Sequence, residues 1–281
     1  MMRRHALAFL GLVAALSAPH RVSAADSPPL VIARDGAEHN FTAAKLMARP
    51  DAVLLTFQDT VYPHATSYRA VPLLPLLGDI SGTAFDTLEA RGTDGFVSQI
   101  PLALLARGAS GGAVPWIAVE DPAQPWPALP RQSQSAGPYY LVWEHPERSA
   151  VSPEQWPYKL VRLTFTESPV HRWPQLAVSA TLPQDAPARR GQQVFETECL
   201  PCHRLNGGGA GEMGPDLVRP MSPTQYLSPL GLRAIIRDSR AVRTWPDQHM
   251  PGFTALPDAD LDAVIAYLHA MAGTSGSETA K

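Results

Sequence analysis

The sequence predicts a chain of two unlike regions, an α+β region over residues 26–183 and an all-α region over residues 184–273. Three observations carry this. Short apolar runs rich in β-branched and aromatic residues recur through the N-terminal region, broken by Pro and Gly. The last 15 residues before Gly273 instead repeat apolar side chains at helical spacing. Finally, the only two cysteines of the chain, Cys199 and Cys202, lie in the C-terminal region, three positions apart and followed at once by His203.

The strands of the N-terminal region are expected at 31–33, 53–57, 141–143 and 160–165, with short helical runs at 42–47, 71–78 and 101–107. Twenty-nine prolines over the chain fit short strands and irregular connections. A linker is expected over residues 178–188, where Pro183 and Pro187 stand. In the C-terminal region a helix is expected at 231–238, with Leu232, Ile235 and Ile236 inward. Another opens at Pro257-Asp258. Asp258, Asp260 and Asp262 in its first turns favour the dipole, and Leu261, Val264, Ile265, Leu268 and Met271 mark its inner face. Residues 274–281 read as a polar tail.

The start of the chain has the build of a secretory signal peptide over residues 1–24. Arg3 and Arg4 precede an apolar run over 6–18, and Val22-Ser23-Ala24 supplies small residues at a cleavage site. The run is shorter than the roughly 20 apolar residues of a membrane span. A periplasmic location is therefore expected, with no span in the mature chain. Loss of this leader leaves 20 basic residues against 26 acidic ones, a net charge near −6. Nucleic acid and anionic membrane surfaces both call for basic patches, so neither is an expected partner.

Cys199-Leu200-Pro201-Cys202-His203 reads C-x-x-C-H, the pattern of covalent haem attachment. Two thiols on one turn can add to the two vinyl groups of a porphyrin, and the next residue sets its imidazole under the iron. A disulfide across two residues would close a tiny loop and stabilise little. A zinc site would need two further ligands at suitable spacing, and there is no second Cys pair. Cys199 and Cys202 are thus the expected anchors of one haem c, and His203 its expected axial ligand.

The flanks of this motif, over 187–272, resemble a class I cytochrome c domain. Ala188 to Phe195 looks like the family's first helix, with Gly191 and Phe195 where the family packs it against the last one, and Tyr267 completing that contact. Gly214-Pro215-Asp216-Leu217 resembles the G-P-x-L turn, whose proline carbonyl holds the proximal histidine. Met250-Pro251-Gly252-Phe253 resembles the M-P-x-F segment, which implies Met250 as second axial ligand. His249 is its rival. Met213, in a Gly-rich loop, reads as solvent-facing, and Met221 and Met271 as packing. A His/Met pair suits electron transfer and raises the potential. Trp245 and Arg243 precede the ligand segment, within reach of haem propionates or simply packed and solvated. Arg233, Arg237, Arg240 and Arg243 read as a solvated face or a docking patch for an acidic partner.

Four segments of the N-terminal region resemble the pterin-binding domain of the sulfite oxidase family of molybdenum enzymes. They are residues 67–77 (SYRAVPLLPLL), 94–102 (DGFVSQIPL), 137–143 (GPYYLVW) and 156–161 (WPYKLV). That family holds molybdenum through a cysteine thiolate, and here both thiols belong to the haem motif. A fold without molybdopterin chemistry is therefore expected. His39, His64, His145 and His171 are dispersed, and Tyr62, His64, Tyr68 and Arg69 form the densest polar and aromatic cluster. The expected function is a periplasmic c-type cytochrome moving single electrons, its N-terminal domain docking it to a redox protein or a dehydrogenase or oxidase subunit, with no catalytic residue assigned. The alternative is a two-cofactor oxidoreductase, in which a molybdopterin or other cofactor in the N-terminal domain oxidises a small substrate and feeds the haem. A haem sensor or copper-handling role is the weakest reading.

Overall fold

The computed structural model describes residues 27–244 and 250–273. The expected leader at 1–24, Trp245, His249 and the tail at 274–281 lie outside the described residues. The N-terminal region is α+β, as expected. Its strands are β1 (Leu30–Arg34), β2 (Ala37–Phe41), β3 (Val53–Phe57), β4 (Thr66–Pro72), β5 (Thr87–Gly92), β6 (Val97–Pro101), β7 (Val114–Val119), β8 (Tyr139–Glu144) and β9 (Leu160–Thr166). They make two sheets, ordered β2-β1-β9-β5-β6 and β3-β4-β7-β8. The first sheet is mixed, because β1 runs parallel to β9 while its other neighbours are antiparallel.

The four expected strands are present, β3 with the expected bounds and the other three longer. Five more were not foreseen. β1 and β2 form a hairpin across Asp35-Gly36, both at positive φ (51° and 78°), the conformation a two-residue turn demands. Three helices join the strands: α1 (Ala43–Met47), capped by the Thr42 hydroxyl, α2 (Leu73–Leu77) and α3 (Leu102–Ala106). The expected run from Val71 begins in strand, since Val71 and Pro72 still pair with Ile117 and Trp116, and turns helical only at Leu73. Tyr68, Tyr139, Tyr140 and Trp143 are fully buried in the core of this region.

The C-terminal region is helical. Its elements are α4 (Pro169–Arg172), α5 (Pro187–Val194), α6 (Pro223–Tyr226), α7 (Pro229–Arg237), α8 (Ser239–Val242) and α9 (Asp258–Ala272). α5 crosses α9 at Gly191, where a Cβ would lie 2.5 Å from the Ala263 carbonyl carbon. Only glycine allows this approach. The rings of Phe195 and Tyr267 meet beside the crossing, 5.2 Å apart.

The core of this region reaches further back than residue 184. Leu176 is fully buried within it and Val178 nearly so, and Val170, Trp173 and Leu182 pack against it. The Tyr267 hydroxyl donates to the Leu176 carbonyl (2.6 Å), and the Val178 amide donates to Gln192 Oε1 (2.9 Å). The stretch expected as a linker from residue 178 is thus packed at its start. Ahead of it, Arg172 clamps the other way, donating to Glu89 on β5 and Gln99 on β6 (2.7 Å each) and stacking on Trp173. No helix among the described residues is long and apolar enough to cross a membrane.

Candidate functional site: a haem-sized cleft around C-x-x-C-H

α5 runs on from Val194 into one wider turn, Phe195–Cys199, which delivers the C-x-x-C-H residues. The turn is held by backbone bonds from Cys202 N and His203 N to the Cys199 carbonyl (3.1 and 2.9 Å). Cys199 and Cys202 are half-buried, side by side on the wall of one cavity. Burial, reinforced by the charges of Glu198 and Glu154, pushes the Cys199 thiol far up. Burial and then Glu154 and Asp94 push Cys202 to about 12. Neither thiolate is favoured here, whereas a thioether carries no charge and suits the site.

His203 points its Nδ1 at the Pro215 carbonyl, 2.8 Å away. Burial lowers its pKa, partly offset by that bond, so the imidazole is neutral, the form that ligates metal. Gly214 lies against the ring, where a Cβ would come 2.5 Å from Nδ1. The amide of Gly214 donates to the Cys202 carbonyl (2.9 Å), which fixes the spacing of the two segments. Asp216 organises the loop behind them. Its Oδ1 accepts from the amides of Asn206, Val218 and Arg219, and its Oδ2 from that of Gly207. Desolvation alone would raise its pKa, but these four bonds outweigh it and hold the carboxyl below its ordinary range.

His203 and Met250 line the same cavity of about 310 Å3. Leu217, Leu232, Ile236, Val264 and Leu268 add apolar walls. Ser239, almost fully buried, donates to the Met250 carbonyl (2.9 Å) and so anchors the Met250 segment at α8. Arg237 donates to the carbonyls of Phe253 (2.9 Å), Thr254 (3.2 Å) and Leu256, and to Asp258 (2.6 Å). Arg233 pairs with Asp258 and Asp262 on α9. Two members of the expected basic face are therefore committed to holding the segment after Met250 against α9.

Met213 is a further difference. It faces inward, its Sδ 3.8 Å from Cys202 Sγ, instead of standing in solvent. Glu198, Ser239 and Arg237 were not singled out as site residues. Only the position of Glu198 beside Cys199 hinted at it. In the N-terminal region, Tyr62 and Tyr68 turn into the core, Tyr68 donating to Asp59, while His64 and Arg69 are exposed. The four side chains of that cluster therefore do not converge. Among the described residues no group of three or more His, Cys, Asp or Glu is placed to hold a metal ion.

The N-terminal region also touches the turn directly. Val97 N donates to the Pro201 carbonyl (2.9 Å), and Glu212 N donates to the Gly95 carbonyl (3.0 Å). Ser152 Oγ donates to Glu198 (2.9 Å).

An apolar cleft, two uncharged thiols on its edge, an oriented neutral imidazole and a thioether on the same cavity fit a covalently held porphyrin. Residues 188–272 match the family model described as Cytochrome c. The C-terminal region is a cytochrome c domain, which implies haem c and supports a haem-based electron-transfer role. No curated protein matches the chain.

Proposed function

We propose that the protein is an extracytoplasmic one-electron carrier. Cys199 and Cys202 would hold one haem by thioether bonds, His203 and Met250 would ligate its iron, and the N-terminal domain would dock the carrier to a redox partner. The observation that carries this reading is the bond from His203 Nδ1 to the Pro215 carbonyl at 2.8 Å, on the cavity that Met250 also lines. When bound, the haem supplies an iron couple that gains or loses one electron at a time. Pro215 orients His203 and raises its basicity. Met250 offers a soft thioether that favours the reduced state. The apolar walls would exclude water, and with both His203 and Met250 on the iron no position would remain for substrate, so no residue is assigned a catalytic role.

The N-terminal domain, read as a sulfite oxidase-like scaffold without molybdenum, contributes position. Its Val97 bonds to Pro201 inside the haem turn, and its Gly95 to Glu212 beyond it. The exported, leader-bearing form fits covalent haem attachment. Replacing Met250 with Ala tests the ligand assignment. The ferric spectrum is expected to turn from low to high spin and the potential to fall. An unchanged spectrum and potential would remove Met250 from the site.

A further inference from the structure

A second and larger cavity, about 790 Å3, opens where the N-terminal domain meets the haem turn. Phe96, Trp156 and Tyr158 wall it on one side, Cys202 and Phe253 on the other. Glu198, Cys202, Met213, Pro251 and Phe253 line both cavities. This cleft therefore reaches the edge of the porphyrin site while drawing most of its walls from outside it. Its volume suits a small organic ligand.

Its charges are one-sided. Asp94, Glu154, Glu198 and Asp260 line it, and Arg190 is the one basic residue among them. Arg190 is already spent on Asp260, through Nε (2.8 Å) and Nη2 (3.0 Å). Asp94 accepts from the Phe96 amide (3.2 Å) and Glu198 from Ser152. The Glu154 side chain has no hydrogen-bond or ion-pair partner among the described residues. Burial, then the charge of Glu198, raises its pKa to about 8. Glu154 is half-buried on this wall, and a counter-charge beside it would favour its ionised form. An anion would meet three carboxylates and no available cation. A cation meets the same three carboxyl groups, Asp94, Glu154 and Glu198, and would favour the ionised form of Glu154, with aromatic rings beside them.

We propose that this cleft binds a small organic cation, an ammonium group on an aromatic or aliphatic body, held by Glu154 and Glu198 against Trp156 and Tyr158. The site goes beyond electron carriage, and its binding is measured without reference to any redox step, so failure of one reading leaves the other intact.

The test is isothermal calorimetry on the full holoprotein with three probes of one shape: phenethylammonium, 2-phenylethanol and 3-phenylpropionate. Saturable binding of phenethylammonium at one per chain is expected, weakening as NaCl is raised, with the alcohol weaker and the propionate not binding. The double variant Glu154→Gln, Glu198→Gln is expected to lose on the order of tenfold in affinity. Thr254→Lys places a tethered cation at the rim from an exposed position and is expected to lose as much. It decides the matter if the double variant does not fold. Absence of binding by phenethylammonium at millimolar concentration, propionate binding as tightly as the ammonium, or full affinity in Thr254→Lys would each overturn the proposal.

Discussion

Gly214→Ala is the sharpest perturbation of the site. The added methyl would stand 2.5 Å from His203 Nδ1 and 3.0 Å from Nε2. Carbon–nitrogen contact needs roughly 3.5 Å, so ring and methyl must separate by about 1 Å. The backbone cannot retreat freely, because the Gly214 amide is bonded to the Cys202 carbonyl at 2.9 Å. The imidazole is the group that yields. A shift of about 1 Å takes Nδ1 from 2.8 Å to beyond bonding distance of the Pro215 carbonyl. The lost bond costs about 1 kcal/mol and the crowding a further 1–3 kcal/mol. For a domain of this size that is a fall in melting temperature on the order of 10 °C. Spectrum, midpoint potential and thermal melt of the holoprotein are the assay, with a lower potential expected as the ligand loses its partner. A variant matching the parent in all three would refute the claim that Gly214 is kept small for the imidazole.

Two other expectations concern stability. Leu176→Ala removes a fully buried side chain of the C-terminal core and is expected to cost about 2–5 kcal/mol, read as an earlier loss of the haem-domain transition. A fragment starting near residue 168 is accordingly expected to outlast one starting at 184, which lacks Leu176 and Val178; equal melts would show that this packing is dispensable. The pH profile tests Glu154. Its folded pKa of about 8 lies above the ordinary 4.5, so the unfolded state loses its proton first. Stability therefore falls as pH rises from about 4.5 to about 8. Glu154→Gln is expected to flatten that slope in denaturant titrations, and an unchanged slope would show that the carboxyl ionises normally.

The C-terminal site was largely legible because its chemistry is local. C-x-x-C-H, the Pro215 turn and the Met250 segment are each readable within a few residues, and α9 announces itself by period. The Gly191 contact with Phe195 and Tyr267 was readable from residue size. What escaped depends on distant partners. β5 and β6 carry Glu89 and Gln99 inward, which breaks the apolar pattern expected of a buried strand, and the guanidinium that satisfies them comes from Arg172, more than 70 residues on. β7 holds Pro115, normally a sign against a central strand. It is tolerated because pairing with β4 begins only at Trp116. The boundary near 184 followed Pro183 and Pro187, yet burial of Leu176 and Val178 is set by α9, far along the chain. The positive run at 233–243 looked solvated because Asp258 and Asp262 are out of local reach.

The contact between the two domains is open to one clean test. Val97 is the first residue of β6, and its amide leaves the ladder to donate to Pro201, inside the C-x-x-C-H motif. A proline is tolerated at the start of a strand, where no ladder bond is lost. Val97→Pro therefore deletes the bond to the haem turn, and Val97→Ala provides the control for lost packing, since Val97 is fully buried. The Pro201 carbonyl, on a buried residue, would be left without its donor at a cost of about 1–3 kcal/mol. Val97→Pro is expected to lower the haem-domain transition below that of Val97→Ala by calorimetry and to shift the potential, because the turn carrying His203 loses an anchor. If the two variants share the same transitions and potential, the N-terminal domain merely lies beside the haem site. If they differ, its grip on Pro201 helps set the position of His203, and the docking domain and the carrier act as one electron-transfer unit.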